Sequence, residues 1–586
     1  MKIITLDDLN EKIFQSKSFK PSRKYKNEAD YLDILSQSKN YFLKSGSENE
    51  GFLESAIFSS NGFGDFFFKN FDIDWKLGEI EKNVNLSWQL HNFNFLRQSL
   101  KKVVLHQDSR KLKILIDILR GWFEEATREE KPMFAWNDHT AAFRLDFLIN
   151  FIYVFDEQFH VDCKDKEFIF RLTELHFRFL LDENFYSKGT NHGLDQSFSL
   201  IKCLVYFPDC IFFIEQHNIV IGRINFELEK SFAADGAHVE NSPEYHFTIL
   251  STYIKIKNYL CKYYPKYNDS SESYDIFINN ALTFAACCIL PNGLIAPIGD
   301  SEFKAPRIDF SHFSGYKNFE HLTYSLSKGH SGKDLGLYKA FLDSGYVFLF
   351  SSKTIIPDFK NRIHMIFKCG FLSYYHRQDD DNSLYVYGFG EEWLIDGGLY
   401  RHDHQNIQRE YFRSALAHNV FMPWPQKTNR MYAPQPIPKI LSLEADEITT
   451  KVVAQTSMYE GYIWTRTLRY NHGLYFTIDD YIRSTSNELG QADHYDLLFQ
   501  IPSNKSVLIN GKQNIKIISQ ISQLGINMDI ISSSFFSIEC LTKKDDPSIN
   551  RSKIYNQLED CTLIRIRLPW NKEATVETRL NYFNLN

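Results

Sequence analysis

Three short stretches of this 586-residue chain carry side chains that could move a proton. The first is SFAADGAHVENSPEYHF, residues 231–247. An Asp235-Gly236 turn precedes His238 and Glu240, and Ser242-Pro243 opens an apolar run headed by Tyr245-His246. Phenol and imidazole are groups that serve as general acid and base. The second stretch is TNHGLDQS, with Asn191-His192 followed by Gln196. The third runs from His376 to His418 and holds four histidines (376, 402, 404 and 418), the acidic run Asp379-Asp380-Asp381, and Arg401, Arg409 and Arg413. We expect the three to meet in one cleft and to carry out proton chemistry there.

Each group also has a plainer reading. Asn191 is a favoured helix cap, and His192 beside it could be a hydrogen-bonded structural histidine. Tyr245-His246 could be an interfacial tyrosine and a surface histidine at a helix start. His402-x-His404 suits a solvated loop, and a run of three aspartates suits a solvated turn as well as a cation. Asp396 and His418 could bind a metal with a third partner from residues 376–380, since zinc favours such imidazole and carboxylate sets. Several other chemistries lack their marks: there is no Walker loop, no GxGxxG after a strand, no GxSxG elbow and no HExxH.

The elements that must position these groups change character along the chain. Leu112, Leu115, Ile116, Leu119, Trp122 and Phe123 fall on one helical face. Further helices are expected over 140–155, 166–181, 196–207, 219–232, 245–263 and 273–290, joined by short turns. Near residue 345 the period shortens: Tyr346–Phe350 opens a β-rich half. Expected hairpins follow at 383–387 with 393–396, at 464–470 with 474–481, and at 506–509 with 515–518, the last turned by Asn510-Gly511. Helices followed by hairpins without intervening helices predict an α+β multidomain chain, with antiparallel sheets in the second part. The seam between the halves is where a site is expected.

The bulk numbers narrow the partners. A net charge of -7 argues against a nucleic-acid binder that relies on a general basic field, while a local arginine cluster still suits an anionic substrate. Nine scattered cysteines without a CxxC read as free thiols of a reducing compartment. No window reaches the roughly 18 apolar residues of a membrane span. The start, MKIITLDDLNEKIFQ, has no apolar h-region, so the chain as it stands is expected in the cytoplasm, or in the periplasm or outside if a leader precedes it.

The segments NHGLDQ, DGAHVENSPEYH, PNGLIAPIGDSE, HRQDDDNS, LIDGGLY and YFRSALAHNV, with WQLHNFNFL and WNDHTAAFRLDFL upstream, resemble in order and spacing the heparinase II/III-like polysaccharide lyases, closest to the heparinase III branch. That resemblance implies an arm over residues 1–80, an incomplete (α/α) toroid over 81–340 and an antiparallel β-sandwich over 341–586. It implies β-elimination on a uronic-acid polysaccharide of the heparosan or heparan type, or on a bacterial capsule glycan like it. Asn191, helped by His192, would neutralise the uronate carboxylate. Tyr245 would be the general acid, in some substrates also the base, and His376 the partner base. His246, Glu240, Arg413 and Gln196 would bind substrate. No cofactor is needed for this chemistry. A structural divalent cation, zinc or calcium, would sit on Gln378, Asp396 and His418. Here the chain departs from the His-x-His-x-Asp of zinc-binding relatives, since Gln378 stands where they have an imidazole. An unperturbed phenol, with its pKa of about 10, is a poor base, so positive charge from His192, His376 or an arginine is expected to lower it. Two other classes stay open: a glycan-binding protein whose catalysis has decayed, and a toroid glycoside hydrolase using carboxylates such as Asp235 and Asp300. The oligomeric state is left open.

Overall fold

The computed structural model describes residues 51–585 apart from 62, 158, 160, 208–209, 264–270, 403–405 and 486–491. Residues 1–50 of the expected arm, and His404, therefore lie outside the described residues. The chain divides into two compact units, Met1–Ser231 and Phe232–Asn586. Helices dominate up to Leu326, and from Tyr338 onward antiparallel strands take over.

In the first unit the apolar periodicity becomes helix–helix packing. Ser109–Ala126 is capped by Asp108, whose carboxylate accepts from the backbone N–H groups of Arg110 and Lys111, both at 3.1 Å. The stripe read from the sequence, Leu112, Leu115, Ile116, Leu119 and Trp122, is buried. Asp138–Glu157 packs on Cys163–Leu181 and on Asn191–Tyr206, and the last packs on His217–Lys230. One fully buried cation cross-links this core. Arg144 donates to His176 Nε2 (3.0 Å), to the His91 carbonyl (2.7 Å) and to the Ala135 carbonyl (2.5 Å), with its guanidinium 4.4 Å above the Trp122 ring. Every arm of the fork is used, so the charge is tolerated without water.

The second unit starts with helices Pro243–Tyr263 and Ser271–Cys287 and continues into three sheets. Tyr338–Phe341, Tyr346–Phe350, His364–Lys368, Ser383–Gly388 and Glu391–Leu394 form an up-and-down antiparallel meander. Its inner strands are buried on both faces, which is why they read as unbroken apolar runs. An eight-stranded sheet shows the other pattern: Tyr462–Tyr470 alternates buried and partly exposed residues, as a sheet with one wet face must. Ser537–Leu541, Glu559–Pro569, His494–Pro502 and Phe421–Trp424 form the third sheet. Trp393, Phe421, Trp464, Tyr495 and Leu580, drawn from all three, share one core. Within it Arg466 and Asp480, neither exposed, form a two-pronged ion pair at 2.8 and 2.9 Å, and the guanidinium also caps the carbonyls of Asn382 and Asn419.

Candidate active site

Tyr245 lies in the first turn of Pro243–Tyr263. The turn is built by Ser242, whose hydroxyl accepts from the Tyr245 N–H (3.3 Å), donates to the Asp300 carbonyl (2.8 Å) and meets the Ser301 hydroxyl at 2.9 Å. The half-buried Tyr245 ring faces the His376 ring, with centroids 4.2 Å apart and a 30° tilt, and His402 stands edge-on at 6.5 Å. His376 occupies a left-handed backbone position, φ 53°. It is held there because Asn241 Nδ2 donates to the carbonyls of Ser373 (3.0 Å) and Tyr375 (2.9 Å), gripping the segment on the way in. The two ring nitrogens of His376 meet different carboxylates: Nδ1 lies 2.7 Å from Asp300 Oδ2, and Nε2 lies 3.6 Å from Glu240 Oε2.

Charge around the phenol runs against the sequence-based expectation. Burial raises the Tyr245 pKa, the carboxylates of Glu240, Asp300 and Glu244 raise it further, and Arg409 offsets them only in part. The phenol therefore sits well above its ordinary value, which suits the expected acid, while the lowering by positive charge that a base would need is not found.

His246, the next residue, points the other way. It is fully buried, its Nε2 donates to the Ala281 carbonyl (2.9 Å) and its Nδ1 accepts from the His238 N–H (3.3 Å). Burial and the neighbouring His238 bring its pKa down to about 3, so it is a neutral core histidine and not the substrate contact expected of it. Glu240 is likewise buried, beneath His376, and does not reach solvent. Arg413 is half-buried and spends Nε and an Nη on the Arg377 carbonyl (3.4 and 3.1 Å), which puts it behind the His376 turn.

In the first unit, Asn191 opens the helix Asn191–Tyr206, and its cap is Thr190, which accepts from the Gly193 N–H at 3.2 Å. The expected capping role of Asn191 is thus taken by its neighbour. The helix also begins five residues earlier than its apolar pattern suggested. His192 stacks on His139 (3.9 Å between centroids, 20°), with Nδ1 3.1 Å from Asp138 Oδ2. Burial opposes ionisation of Asp138, but His192 and the Ser187 hydroxyl outweigh it and hold the carboxyl well below its usual range. Asp138 was not singled out from the sequence, although an acidic residue in the first turn of a helix, next to His139, was there to be read. Gln196 is fully buried and braces the preceding loop, taking the Ser187 N–H (3.0 Å) and giving an N–H to the Phe185 carbonyl (2.8 Å). It is a structural group, which corrects its assignment to substrate.

Two sets of donors bear on a metal. Asp300, His376 and His402 present ligand atoms within 4.8 Å of one another, and so could hold an ion. The shared Asp300 oxygen is already in contact with the Arg409 guanidinium at 2.5 Å, so a cation there would face a fixed positive charge. In the other set, His418 Nδ1 lies 3.0 Å from Asp396 Oδ2, while Gln378 gives its Nε2 to Asp300 Oδ1 (2.7 Å). Gln378 Oε1 and His418 Nε2 are buried without a hydrogen-bond partner. These donor types suit zinc better than calcium, which takes oxygen ligands, but Asp396 spends its oxygens on His418 Nδ1 and on the Gly398 N–H (2.9 Å), away from the orphaned Nε2. The two carboxylates of the hydrolase alternative are both committed: Asp235 Oδ2 accepts from the Ser344 N–H (2.8 Å) and hydroxyl (2.9 Å), and Asp300 is held as above.

Sequence models of the family described as "Heparinase II/III N-terminus" and "Heparinase II/III-like, C-terminal" match residues 22–319 and 334–557. Among solved structures, heparinase III aligns with a TM-score of 0.73 at 16% identity, over 99% of this chain and 90% of that one. The heparan sulfate lyase HepC from Pedobacter heparinus aligns with a TM-score of 0.61 at 16% identity, over 99% and 88%. No curated protein matches the chain. At these identities the structures speak for a shared fold: helices first, antiparallel sheets second.

Proposed function

The chain belongs to the heparinase II/III-like family of polysaccharide lyases, and from that premise we propose that it cuts a uronic-acid polysaccharide by β-elimination, with Tyr245 as general acid. The observation that carries the reading is the Tyr245 ring facing, 4.2 Å away, an imidazole whose Nδ1 lies 2.7 Å from the Asp300 carboxylate, with burial and nearby carboxylates raising the pKa of the phenol. Elimination needs a base to take the proton beside the uronate carboxylate and an acid to protonate the departing sugar oxygen. The C5 proton is far too weak an acid until charge developing on the carboxylate is neutralised, and aimed amide or imidazole donors can do this without a cofactor. In this reading His376 takes the C5 proton and Tyr245 delivers its own to the leaving oxygen, and the neutralising donors are the residues the family resemblance assigns, Asn191 and His192. The substrate we propose is a glucuronate and amino-sugar polymer of the heparosan or heparan type. The names of the solved relatives, heparan sulfate lyase and heparinase III, support that choice. A structural zinc ion on Gln378, Asp396 and His418 belongs to the same reading. It would brace the turn behind His376 and take no part in the proton transfers.

The product mass tests this against hydrolysis. Elimination leaves an unsaturated uronate fragment one water lighter than the hydrolysis product, so mass spectrometry of a heparosan digest should show the lighter ends. Saturated ends alone would refute the proposal.

A further inference from the structure

We propose that Asp300 is the positioning residue for His376, holding the ring by its Nδ1 edge and leaving the Nε2 edge open, and that Arg409 and Gln378 hold Asp300 to that task. The inference rests on the elimination reading above. Asp300 is fully buried, in the loop IGDSE. That loop passes so close to the Tyr245 helix that a Cβ on Gly299 (φ 55°) would lie 2.9 Å from the Asn241 carbonyl. The Asp300 backbone is tied to the same helix cap through Ser242. Its carboxylate is saturated by three donors from two other segments. Gln378 Nε2 donates to Oδ1 at 2.7 Å, while Arg409 Nη2 at 2.5 Å and His376 Nδ1 at 2.7 Å donate to Oδ2. Arg409, itself buried, is aimed by a second bond to the Leu399 carbonyl (3.0 Å) and by the Asn406 cap at the start of its helix. A buried carboxylate without such partners would be strongly destabilising.

An ionised carboxylate only accepts hydrogen bonds. With Oδ1 accepting from Gln378 and Oδ2 from Arg409, Asp300 is an acceptor toward His376 as well, so Nδ1 is the clamped ring nitrogen and Nε2 the one turned away from it. Nε2 is not spent on a bond of its own, since Glu240 Oε2 at 3.6 Å is beyond hydrogen-bond reach. A purely structural ion pair would bury both partners. Here the His376 side chain remains 21% exposed while Asp300 is sealed. One ring edge is clamped and the other is open. This is the division of labour seen when a carboxylate orients a catalytic imidazole.

A double-mutant cycle tests it, using the absorbance of the unsaturated product as the rate. Asp300→Asn is expected to lower kcat about 100-fold or more with KM changed less than about threefold. In a His376→Ala background the same change should cost almost nothing further, because Asp300 acts through that ring. Arg409→Lys should keep activity that Arg409→Gln loses. An Asp300→Asn enzyme within about threefold of wild type, or losses that multiply in the double variant, would overturn the inference. Should Asp300→Asn fail to fold, wild-type chain labelled with ¹⁵N-histidine decides: the His376 ring, assigned by its loss in His376→Ala, should carry its proton on Nδ1, and a bare Nδ1 overturns the proposal. A wild type that gives no unsaturated product on any uronate polymer would sink the elimination reading instead, and the nitrogen spectrum would still decide the pairing.

Discussion

Replacing Tyr245 by Phe removes one oxygen and leaves the ring, so the His376 stacking at 4.2 Å and the Ser242 cap survive. Stability should change by less than about 1 kcal/mol. Activity should not survive. The phenol is held well above its ordinary pKa by burial and by the Glu240, Asp300 and Glu244 carboxylates, so the acid is fully loaded at neutral pH. General acid catalysis of this kind contributes about 10² to 10⁴ in rate. At about 1.36 kcal/mol per decade, that is about 2.7 to 5.4 kcal/mol of transition-state stabilisation lost in kcat, with KM nearly unchanged. The raised pKa adds a second signature. Loss of the acid form belongs above about pH 10, so the wild-type kcat profile should carry no alkaline limb from Tyr245 between pH 7 and 9. Initial rates across that range, for wild type and Tyr245→Phe side by side, give both readouts. A variant with more than about a third of wild-type kcat would refute the acid assignment. So would a wild-type limb below about pH 9 that vanishes in the variant, since it would report a phenol with a lowered pKa acting as a base.

Other perturbations separate chemistry from scaffolding. Thr190→Ala should cost about 1 kcal/mol of stability through the lost cap, while Asn191→Ala should leave the urea midpoint nearly unmoved and lower kcat/KM about 100-fold or more. His91, His246 and His364 are buried with pKa values of about 3, burial being the first cause of each, against about 6.5 in the unfolded chain. The unfolded state therefore binds more protons below pH 6.5. This stability is present in full above pH 6.5 and is lost as pH falls toward 3, so melting temperature should drop as pH falls across that window. Asp480→Ala strands the sealed Arg466 charge and should destabilise by about 3 to 5 kcal/mol in denaturant titration. Elemental analysis should find zinc that Asp396→Ala loses while residual lyase rate per folded molecule is kept.

What could be read in the sequence and what could not divides along physical lines. Ser109–Ala126 was legible because its apolar periodicity reports the buried side, and Tyr346–Phe350 because an unbroken apolar run reports a strand buried on both faces. The roles of adjacent residues were not. Thr190 and Asn191 are both cap formers, and only the extended backbone at Thr190 decides between them. Tyr245 and His246 lie about 100° apart around a helix, which sends one toward His376 and the other into the core. The Gln196 amide is used up by a loop nine residues upstream, a local bond that composition does not announce. The sign of the Tyr245 shift depends on one carboxylate 55 residues away and an arginine 164 residues away, along with two near carboxylates on its own segment. Asp300 and Arg409, 109 residues apart, become a pair only once the loop and the helix are folded against one another.

The account turns on elimination, and one measurement tests that most directly. Purified chain is incubated with heparosan, heparan sulfate, hyaluronan, chondroitin, alginate and bacterial capsule polysaccharides while ultraviolet absorbance is followed. The account predicts a steady rise, from the conjugated double bond of a new unsaturated uronate, on heparosan or heparan-type chains and none with Tyr245→Phe. New saturated reducing ends with flat absorbance on every polymer would contradict it.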